Sequence, residues 1–316
     1  MKAIVTGCAG FIGSTLCENL LRRDDVSSVI GIDSLTDYYS RDLKLRNLSL
    51  LQDDRFHFVQ EDLLTANLAE LMVGVDYVFH QAGQPGVRSS WGTEFDMYVE
   101  RNVSATQRLL EAAKHSKTLK RLVYASSSSV YGDAETFPTS ESTRPAPLSP
   151  YGVTKLSAEH LCVLYAKNFD VPTVSLRYFT VYGPRQRPDM LFTRIMMAAH
   201  GHWDLELYGT GDQVRDFTYV DDIVEANVLA ALGPVEAGAV FNVSGGSNVS
   251  VNDVLNIVNS LAPSPLKFKS GDKVKGDVAR TGGDSSLIYS SIGWEPKISI
   301  SDGLATMYQY YADLSM

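Results

Sequence analysis

The chain has 316 residues, 44% of them hydrophobic, which is enough to bury a large core in one domain or in two closely packed lobes. Its formal net charge of -9 argues against a general binder of polyanions, so we expect no nucleic acid partner. No run of about eighteen apolar residues predicts a membrane span, so we expect no membrane partner either.

The start of the chain and its cysteines predict a cytoplasmic location. Residues 1–5 lead directly into a glycine-rich turn, which leaves no room for a signal peptide. The cysteines are odd in number and lack the spacing of metal ligands, which fits a reducing compartment. We interpret all three as packing residues: Cys8, Cys17 and Cys162.

The first predicted elements form a phosphate-binding unit. An apolar strand over residues 1–6 is followed by a G-x-x-G-x-x-G turn and then by apolar residues at helical spacing. Glycines let the backbone approach a pyrophosphate, and the helix N-terminus offers unpaired N–H groups and a partial positive charge. The residues predicted to contact a dinucleotide here are Gly7, Gly10, Phe11, Ile12 and Gly13.

An acidic residue after the second strand predicts which dinucleotide binds. Asp33 ends the apolar run 29–32 and lies twenty residues after Gly13. A carboxylate there accepts hydrogen bonds from the adenosine ribose and repels a 2′-phosphate. The predicted cofactor is therefore NAD rather than NADP.

Short β-rich runs then alternate with amphipathic stretches, which predicts an α/β fold with a doubly wound parallel sheet of Rossmann type. We predict an NAD-binding domain over residues 1–177, with a returning segment near 216–243, and an interleaved, smaller substrate lobe over 178–316. Two amphipathic helices suggest pairing across a homodimer. The predicted strands are 56–59, 77–80, 122–125 and 173–176, with helices at 103–113 and 157–165 and a second α/β pattern at 240–243 and 251–261.

A tyrosine, a lysine and a serine run predict redox chemistry at the sheet edge. Tyr151 and Lys155 are four residues apart and share one helix face. A free phenol has a pKa of about 10, and a nearby ammonium and the cationic nicotinamide ring favour its ionised form. Tyr151 would then act as a base toward a substrate hydroxyl, aided by one serine of the run 126–129. His57 and His80 lie in apolar runs and are interpreted as structural.

With these motifs the whole chain resembles extended short-chain dehydrogenases/reductases of the nucleotide-sugar epimerase and dehydratase kind. Further landmarks of that family are the segments 62–63, 80–83, 102–103, 178–184 and 215–222. The resemblance implies that Ser127 acts with Tyr151 and Lys155. It also implies contacts to the adenine, the cofactor backbone and the nicotinamide end by Asp62, Leu63, Ala82, Gly83, Asn102 and Tyr178.

Segments 37–48, 84–90 and 183–190 resemble the UDP-glucuronate 4-epimerase branch. This implies redox-neutral C4 epimerisation of a UDP-hexuronic acid through a 4-keto intermediate on tightly bound NAD. Arg185 would face the uronate carboxylate, Arg215 the diphosphate and Asp277 the uridine ribose. The full set of expected substrate contacts is Ser126, Ser127, Ser128, Thr180, Arg185, Arg187, Arg215 and Asp277.

Several alternatives stay open at this stage. A UDP-glucuronate decarboxylase or a UDP-glucose 4-epimerase would use the same oxidation, and a non-catalytic NAD-binding sensor is an alternative from another class. A dehydratase is disfavoured, because Ser128 and Ser129 stand where that branch carries an acid and a base. No metal site is predicted from the Asp216, Asp221 and Asp222 cluster, since acids at 221–222 suit a helix N-terminus.

Overall fold

The computed structural model describes residues 1–271 and 280–314. The strands are β1 (Lys2–Thr6), β2 (Ser28–Ile32), β3 (Phe56–Val59), β4 (Tyr77–His80), β5 (Arg121–Ser127), β6 (Thr173–Tyr178), β7 (Val181–Tyr182), β8 (Leu205–Tyr208), β9 (Val214–Arg215), β10 (Thr218–Tyr219), β11 (Ala239–Val243), β12 (Val249–Ser250) and β13 (Phe268–Gly271). The helices are α1 (Phe11–Leu21), α2 (Arg41–Ser49), α3 (Leu68–Leu71), α4 (Phe95–Tyr98), α5 (Ala105–Lys114), α6 (Pro150–Phe169), α7 (Leu191–Ala199), α8 (Val220–Leu232), α9 (Val251–Leu261), α10 (Ser286–Ile292) and α11 (Ile300–Ala312).

Seven parallel strands form the central sheet in the order β11-β6-β5-β4-β1-β2-β3. The order reverses between β1 and β4, which opens a crevice at the carboxyl ends of the strands. The predicted doubly wound parallel sheet is therefore confirmed. Residues 239–243 return from the second half of the chain to pair with β6 as an edge strand.

Both faces of the sheet are covered, which explains why the strands are continuous apolar runs. On one face, residues of α1 and α8 such as Leu16 and Ile223 pack in one core cluster. On the other face, residues of α5 and α6 such as Leu109 and Cys162 pack in a second cluster. All three cysteines are buried and unpaired, as expected of packing residues.

The helix that carries Tyr151 and Lys155 is longer than the sequence pattern indicated. It begins at Pro150, where a missing N–H costs nothing, and Ser149 caps it by accepting from the Gly152 N–H at 3.1 Å. A π-helical segment over Val99–Ser104 precedes α5. No helix of residues 1–271 and 280–314 is long and apolar enough to cross a membrane.

Candidate active site

Two adjoining clefts open at the carboxyl end of the sheet. The first, here called the cofactor cleft, runs past the ends of β3, β2, β1, β4 and β5 and is lined by Gly7, Asp33 and Asp62 as well as by Lys155. The second, here called the substrate cleft, lies against the C-terminal half of the chain and is lined by Ser127, Thr180 and Arg215 among others. Residues that line both clefts are Phe11, Ile12, Tyr38, Pro85, Ser126, Tyr151, Tyr178 and Arg187.

The glycine turn has the shape that a pyrophosphate cradle requires. Gly7 has a φ of +71°, and a Cβ there would lie 2.8 Å from the backbone nitrogen of Ala82. A Cβ on Gly13 would lie 2.1 Å from the Gly7 carbonyl oxygen, so α1 can begin this close to β1 only with glycine. The Gly10 N–H donates to the same carbonyl at 3.0 Å, and Phe11 and Ile12 line the cofactor cleft. The turn therefore fits a dinucleotide.

Asp33 is held at the end of β2 by the backbone. Its carboxylate accepts from the Ala9 N–H at 3.1 Å and from the Leu35 N–H at 2.8 Å. These two bonds fix the carboxylate in the wall of the cofactor cleft, where remaining lone pairs can accept from ribose hydroxyls. The geometry agrees with the NAD preference predicted from the sequence.

Lys44 also lines the cofactor cleft, and the sequence reasoning missed it. Its ammonium donates to the carbonyl and hydroxyl oxygens of Thr36 and lies 4.7 Å from the centre of the Tyr39 ring. Burial lowers the pKa of Lys44, and the Asp33 carboxylate opposes that shift. The segment 37–48 was singled out as a family landmark, so the signal for this lysine was present but was not assigned to the cofactor.

The remaining predicted cofactor residues divide into cleft walls and supports. Asp62, Leu63, Ala82 and Gly83 line the cofactor cleft directly. Asn102 stands behind the cleft: its side-chain oxygen Oδ1 accepts from the Gln84 N–H at 2.6 Å, and its side-chain Nδ2 donates to the Gln84 backbone carbonyl and to the Thr154 hydroxyl. Asn102 thus connects the turn after β4 to α6.

Tyr151 lines both clefts, and Lys155, one turn further along α6, lines the cofactor cleft. Lys155 donates to the Ala125 carbonyl at 2.6 Å, and burial lowers its pKa to about 8. Burial raises the pKa of Tyr151, while a hydrogen bond to Ser127 and the nearby Arg187 guanidinium oppose the rise. The sequence argument expected the Lys155 ammonium and the nicotinamide ring to favour the phenolate; in the structure the groups that oppose the rise are Ser127 and Arg187.

Ser126 does not present a free hydroxyl to the substrate cleft. Its hydroxyl donates to Glu159 at 2.6 Å, and Arg177 binds both oxygens of the same carboxylate at 2.6 and 2.9 Å. Arg177 also donates to the Tyr131 hydroxyl at 2.6 Å. The sequence reasoning missed Glu159, although it lies one helical turn beyond Lys155 on the face that carries Tyr151.

The substrate cleft brings together most of the expected contacts. Ser127, Ser128, Thr180, Arg187 and Arg215 all line it. The Arg187 guanidinium donates to Asp189 from Nε and Nη2, each at 3.0 Å, and lies 5.9 Å from the centre of the Tyr38 ring. Asp277 lies outside the described residues.

Arg185 is the expected substrate residue that the structure places elsewhere, and this corrects the sequence argument. Its guanidinium contacts the Glu18 carboxylate and, at 3.4 Å, the Ser14 hydroxyl, both on α1. Arg185 has a φ of +68°, so the backbone turns at this position and the side chain runs back to α1. It is absent from the linings of both clefts.

Other titratable side chains have structural partners. His80 is buried between the hydroxyls of Thr6 and Thr106, and burial lowers its pKa to about 3. The Asp222 carboxylate accepts from the backbone N–H groups of Lys297 and Ile298. Across residues 1–271 and 280–314, no three histidine, cysteine or acidic side chains converge as a metal site would need.

Comparisons with known proteins agree with this geometry. Residues 3–244 match the model of the NAD dependent epimerase/dehydratase family. The chain is 45% identical over 316 residues to the uncharacterized UDP-glucose epimerase YtcB of Bacillus subtilis, covering 99% of each protein. It is 36% identical over 307 residues to a UDP-glucuronate 4-epimerase of Thermodesulfobacterium geofontis, covering 95% of this chain and 93% of that one.

A solved structure is also similar over nearly its whole length. UDP-glucuronic acid 4-epimerase from Bacillus cereus, crystallised with UDP-glucuronic acid and NAD, superposes with a TM-score of 0.94 at 43% identity, covering 99% of both chains. Since the family match spans most of the chain and coincides with the glycine cradle, Asp33 and the Tyr151–Lys155 pair, this protein belongs to the NAD dependent epimerase/dehydratase family.

Proposed function

We propose that the protein interconverts UDP-glucuronate and UDP-galacturonate by redox-neutral epimerisation at C4. The observation that carries the proposal is the position of Tyr151, which lines both clefts and shares the substrate cleft with Ser127. A base at this junction can reach a sugar hydroxyl in the substrate cleft beside a cofactor in the adjoining one. The similar enzymes from Bacillus cereus and Thermodesulfobacterium geofontis support the choice of a uronate.

Tyr151 removes the proton from the sugar O4 and later returns it. Ser127 lines the substrate cleft with Tyr151 and offers a second contact to the reacting oxygen. NAD, when bound, would supply the reversible oxidation at C4, and the configuration inverts because the 4-keto sugar turns about its diphosphate linkage and presents its other face. Lys155, fixed on the Ala125 carbonyl, lines the cofactor cleft and would hold the nicotinamide ribose.

A uronate makes a further demand on the site. Oxidation at C4 produces a β-keto acid, which loses carbon dioxide when the bond to its carboxylate aligns with the ketone π system. The carboxylate must therefore be held out of that alignment. Arg187, Ser128 and Thr180 line the substrate cleft and can bind it, Arg187 by charge and the hydroxyls by hydrogen bonds.

The test is proton NMR of the purified protein with UDP-glucuronate and no added cofactor, following the anomeric and H4 signals. Appearance of UDP-galacturonate supports the proposal and shows that NAD is carried by the enzyme. A pentose product would identify a decarboxylase instead. No change, even with added NAD, would redirect the search to a neutral sugar such as UDP-glucose, which the name of YtcB suggests, or to a non-catalytic NAD sensor.

A homodimer in the cytoplasm completes the proposal. Val153 and Leu164 are 44% and 51% exposed on α6, and their spacing of three turns places them on one face of the helix. Burying this face against α6 of a second copy would remove apolar surface from water. The three buried, unpaired cysteines suit a reducing compartment. Light scattering that gives the mass of a single chain would contradict the dimer.

A further inference from the structure

Three polar side chains meet behind the inner end of the cofactor cleft, and two of them belong to no predicted site. Tyr178 is the last residue of β6, Gln81 follows β4 directly, and Asn227 lies two turns into α8. Asn227 is fully buried and Tyr178 is 8% exposed, whereas Gln81 lines the cofactor cleft. Because β5 lies between β4 and β6, Gln81 and Tyr178 meet across the end of the strand that carries Ser127.

The three side chains satisfy one another's hydrogen bonds. The Gln81 amide donates to the Tyr178 oxygen at 3.1 Å and to the Asn227 carbonyl oxygen at 2.9 Å. The Asn227 amide donates to the Tyr178 oxygen at 2.7 Å and to the Ile223 carbonyl at 2.8 Å, which ties the group to the α8 backbone. The Tyr178 hydroxyl faces two acceptors, Asn227 at 3.0 Å and Gln81 at 3.2 Å. A closed set of this kind holds each member in one orientation.

This network approaches the cleft from the side opposite the catalytic helix. Tyr178 packs in the core cluster formed with α1 and α8, whereas α6, which carries Tyr151 and Lys155, packs on the other face of the sheet. Tyr178 and Tyr151 nevertheless both line the cofactor cleft and the substrate cleft. The cleft therefore has one wall with a base and one wall with a fixed aromatic ring.

The two tyrosines differ in what their hydroxyls can do. The Tyr151 hydroxyl contacts Ser127 at the edge of the substrate cleft. The Tyr178 hydroxyl is instead engaged by the side-chain amides of Gln81 and Asn227. What its environment provides is a fixed position for the ring.

We propose that Gln81 and Asn227 are positioning residues that hold Tyr178 as a rigid wall against the nicotinamide half of the cofactor. The inference rests on the proposed function, because the nicotinamide end is identified by the catalytic Tyr151 and Lys155. Holding a reacting ring in one orientation contributes to rate as well as to binding. The side-chain hydrogen bonds of the network involve neither Asp33 nor the glycine turn, so we expect the adenosine half of the cofactor to bind independently of them.

The test compares two ligands that share all but the nicotinamide. The full-length chain and its Gln81→Leu and Asn227→Leu variants are first freed of bound NAD, and each is then titrated with NADH by fluorescence and with ADP-ribose by displacement of NADH. Each variant leaves buried polar groups unpaired, so NADH binding should weaken about tenfold while ADP-ribose binding stays within about twofold of wild type. Tyr178→Phe removes only the hydroxyl, so NADH binding should weaken about threefold while ADP-ribose binding stays unchanged.

A matched control separates positioning from general stability. Thr173 lies in the same strand, fully buried, and its hydroxyl donates to the Cys162 carbonyl at 2.9 Å. Thr173→Val should lower Tm and leave both affinities unchanged. Equal weakening of NADH and ADP-ribose in the Gln81 and Asn227 variants, or no weakening of NADH, would overturn the inference. If either leucine variant fails to fold, Tyr178→Phe decides by the same contrast.

The ligand-binding test of the network can fail independently of the NMR test of the proposed function. A wild type that binds NADH but does not epimerise UDP-glucuronate refutes the proposed substrate and leaves the ligand contrast to decide the role of the network. Conversely, the wild type can epimerise UDP-glucuronate while the variants lose affinity for NADH and for ADP-ribose equally. That result supports the proposed function and refutes the positioning role of Gln81 and Asn227.

Discussion

Ser126 on β5 donates a hydrogen bond to Glu159 on α6 over 2.6 Å. Two neighbouring interactions run between the same elements: Lys155 donates to the Ala125 carbonyl at 2.6 Å, and Ser127 contacts Tyr151. Three consecutive residues of β5 are thus joined to three side chains that follow one another at one-turn intervals on α6. The helix that carries the base is thereby fixed relative to the strand that carries the serines. Relative placement of this kind decides whether a proton can be transferred.

Ser126 and Ser127 should respond differently to removal of their hydroxyls. Ser127→Ala removes a partner of the base and should lower kcat about a hundredfold. Ser126→Ala breaks only the bond to Glu159, so the unfolding free energy should fall by about 1 kcal/mol with a much smaller effect on kcat. Steady-state kinetics and urea unfolding check both; equal losses of kcat would contradict the division of roles.

Tyr151→Phe should separate catalysis from cofactor binding. The variant lacks the group that accepts the sugar proton, so kcat should fall about a thousandfold. The glycine turn and Asp33 are untouched, so NAD released by denaturing the purified protein should match the wild-type amount. Retained turnover would mean that another group acts as the base.

Arg187 and Arg185 form a natural pair for testing the substrate cleft. Arg187→Ala removes a cation that lines the cleft and should raise KM for UDP-glucuronate about tenfold, with a smaller effect on UDP-glucose. Arg185→Ala removes an ion pair with Glu18 and should lower the unfolding free energy by about 1 kcal/mol while KM stays unchanged. The opposite pattern would restore the role that the sequence first assigned to Arg185.

Removing one charge of the Glu159–Arg177 ion pair should lower the unfolding free energy substantially. Both side chains are nearly inaccessible, at 2% and 6% exposure, so Glu159→Gln leaves the Arg177 charge buried without its partner. The unfolding free energy should fall by about 3 kcal/mol, and the double variant Glu159→Gln with Arg177→Met should recover part of that loss. Urea unfolding of the single and double variants measures both quantities. A double variant less stable than Glu159→Gln alone would contradict this account.

Lys155 should give stability a measurable dependence on alkaline pH. Burial lowers its pKa from the ordinary 10.5 to about 8. Between these values the unfolded chain binds one proton more than the folded chain, so the unfolding free energy rises with pH. Wild type should therefore gain about 1 kcal/mol per pH unit relative to Lys155→Met in this window, with NAD removed from both proteins. A difference that does not change with pH would show that the buried ammonium keeps its ordinary pKa.

The sequence by itself determined the elements whose pattern is local. The strands Phe56–Val59 and Tyr77–His80 were predicted with their observed bounds, because short apolar runs between turns need no distant partner to be recognised. The Tyr151 and Lys155 pair was recognised for the same reason, since four residues make one helical turn. Asp33 followed from its distance to the glycine turn.

Only the tertiary structure decided where long side chains go and which distant residues meet. Arg185 and Arg187 are two residues apart in one loop, yet a left-handed backbone position directs the first to Glu18, and the second lines both clefts. Gln81 and Asn227 are 146 positions apart, and they meet because β4 and α8 adjoin the end of β5. Local patterns carry no information about such contacts, since these depend on strand order and on the packing of helices across the sheet.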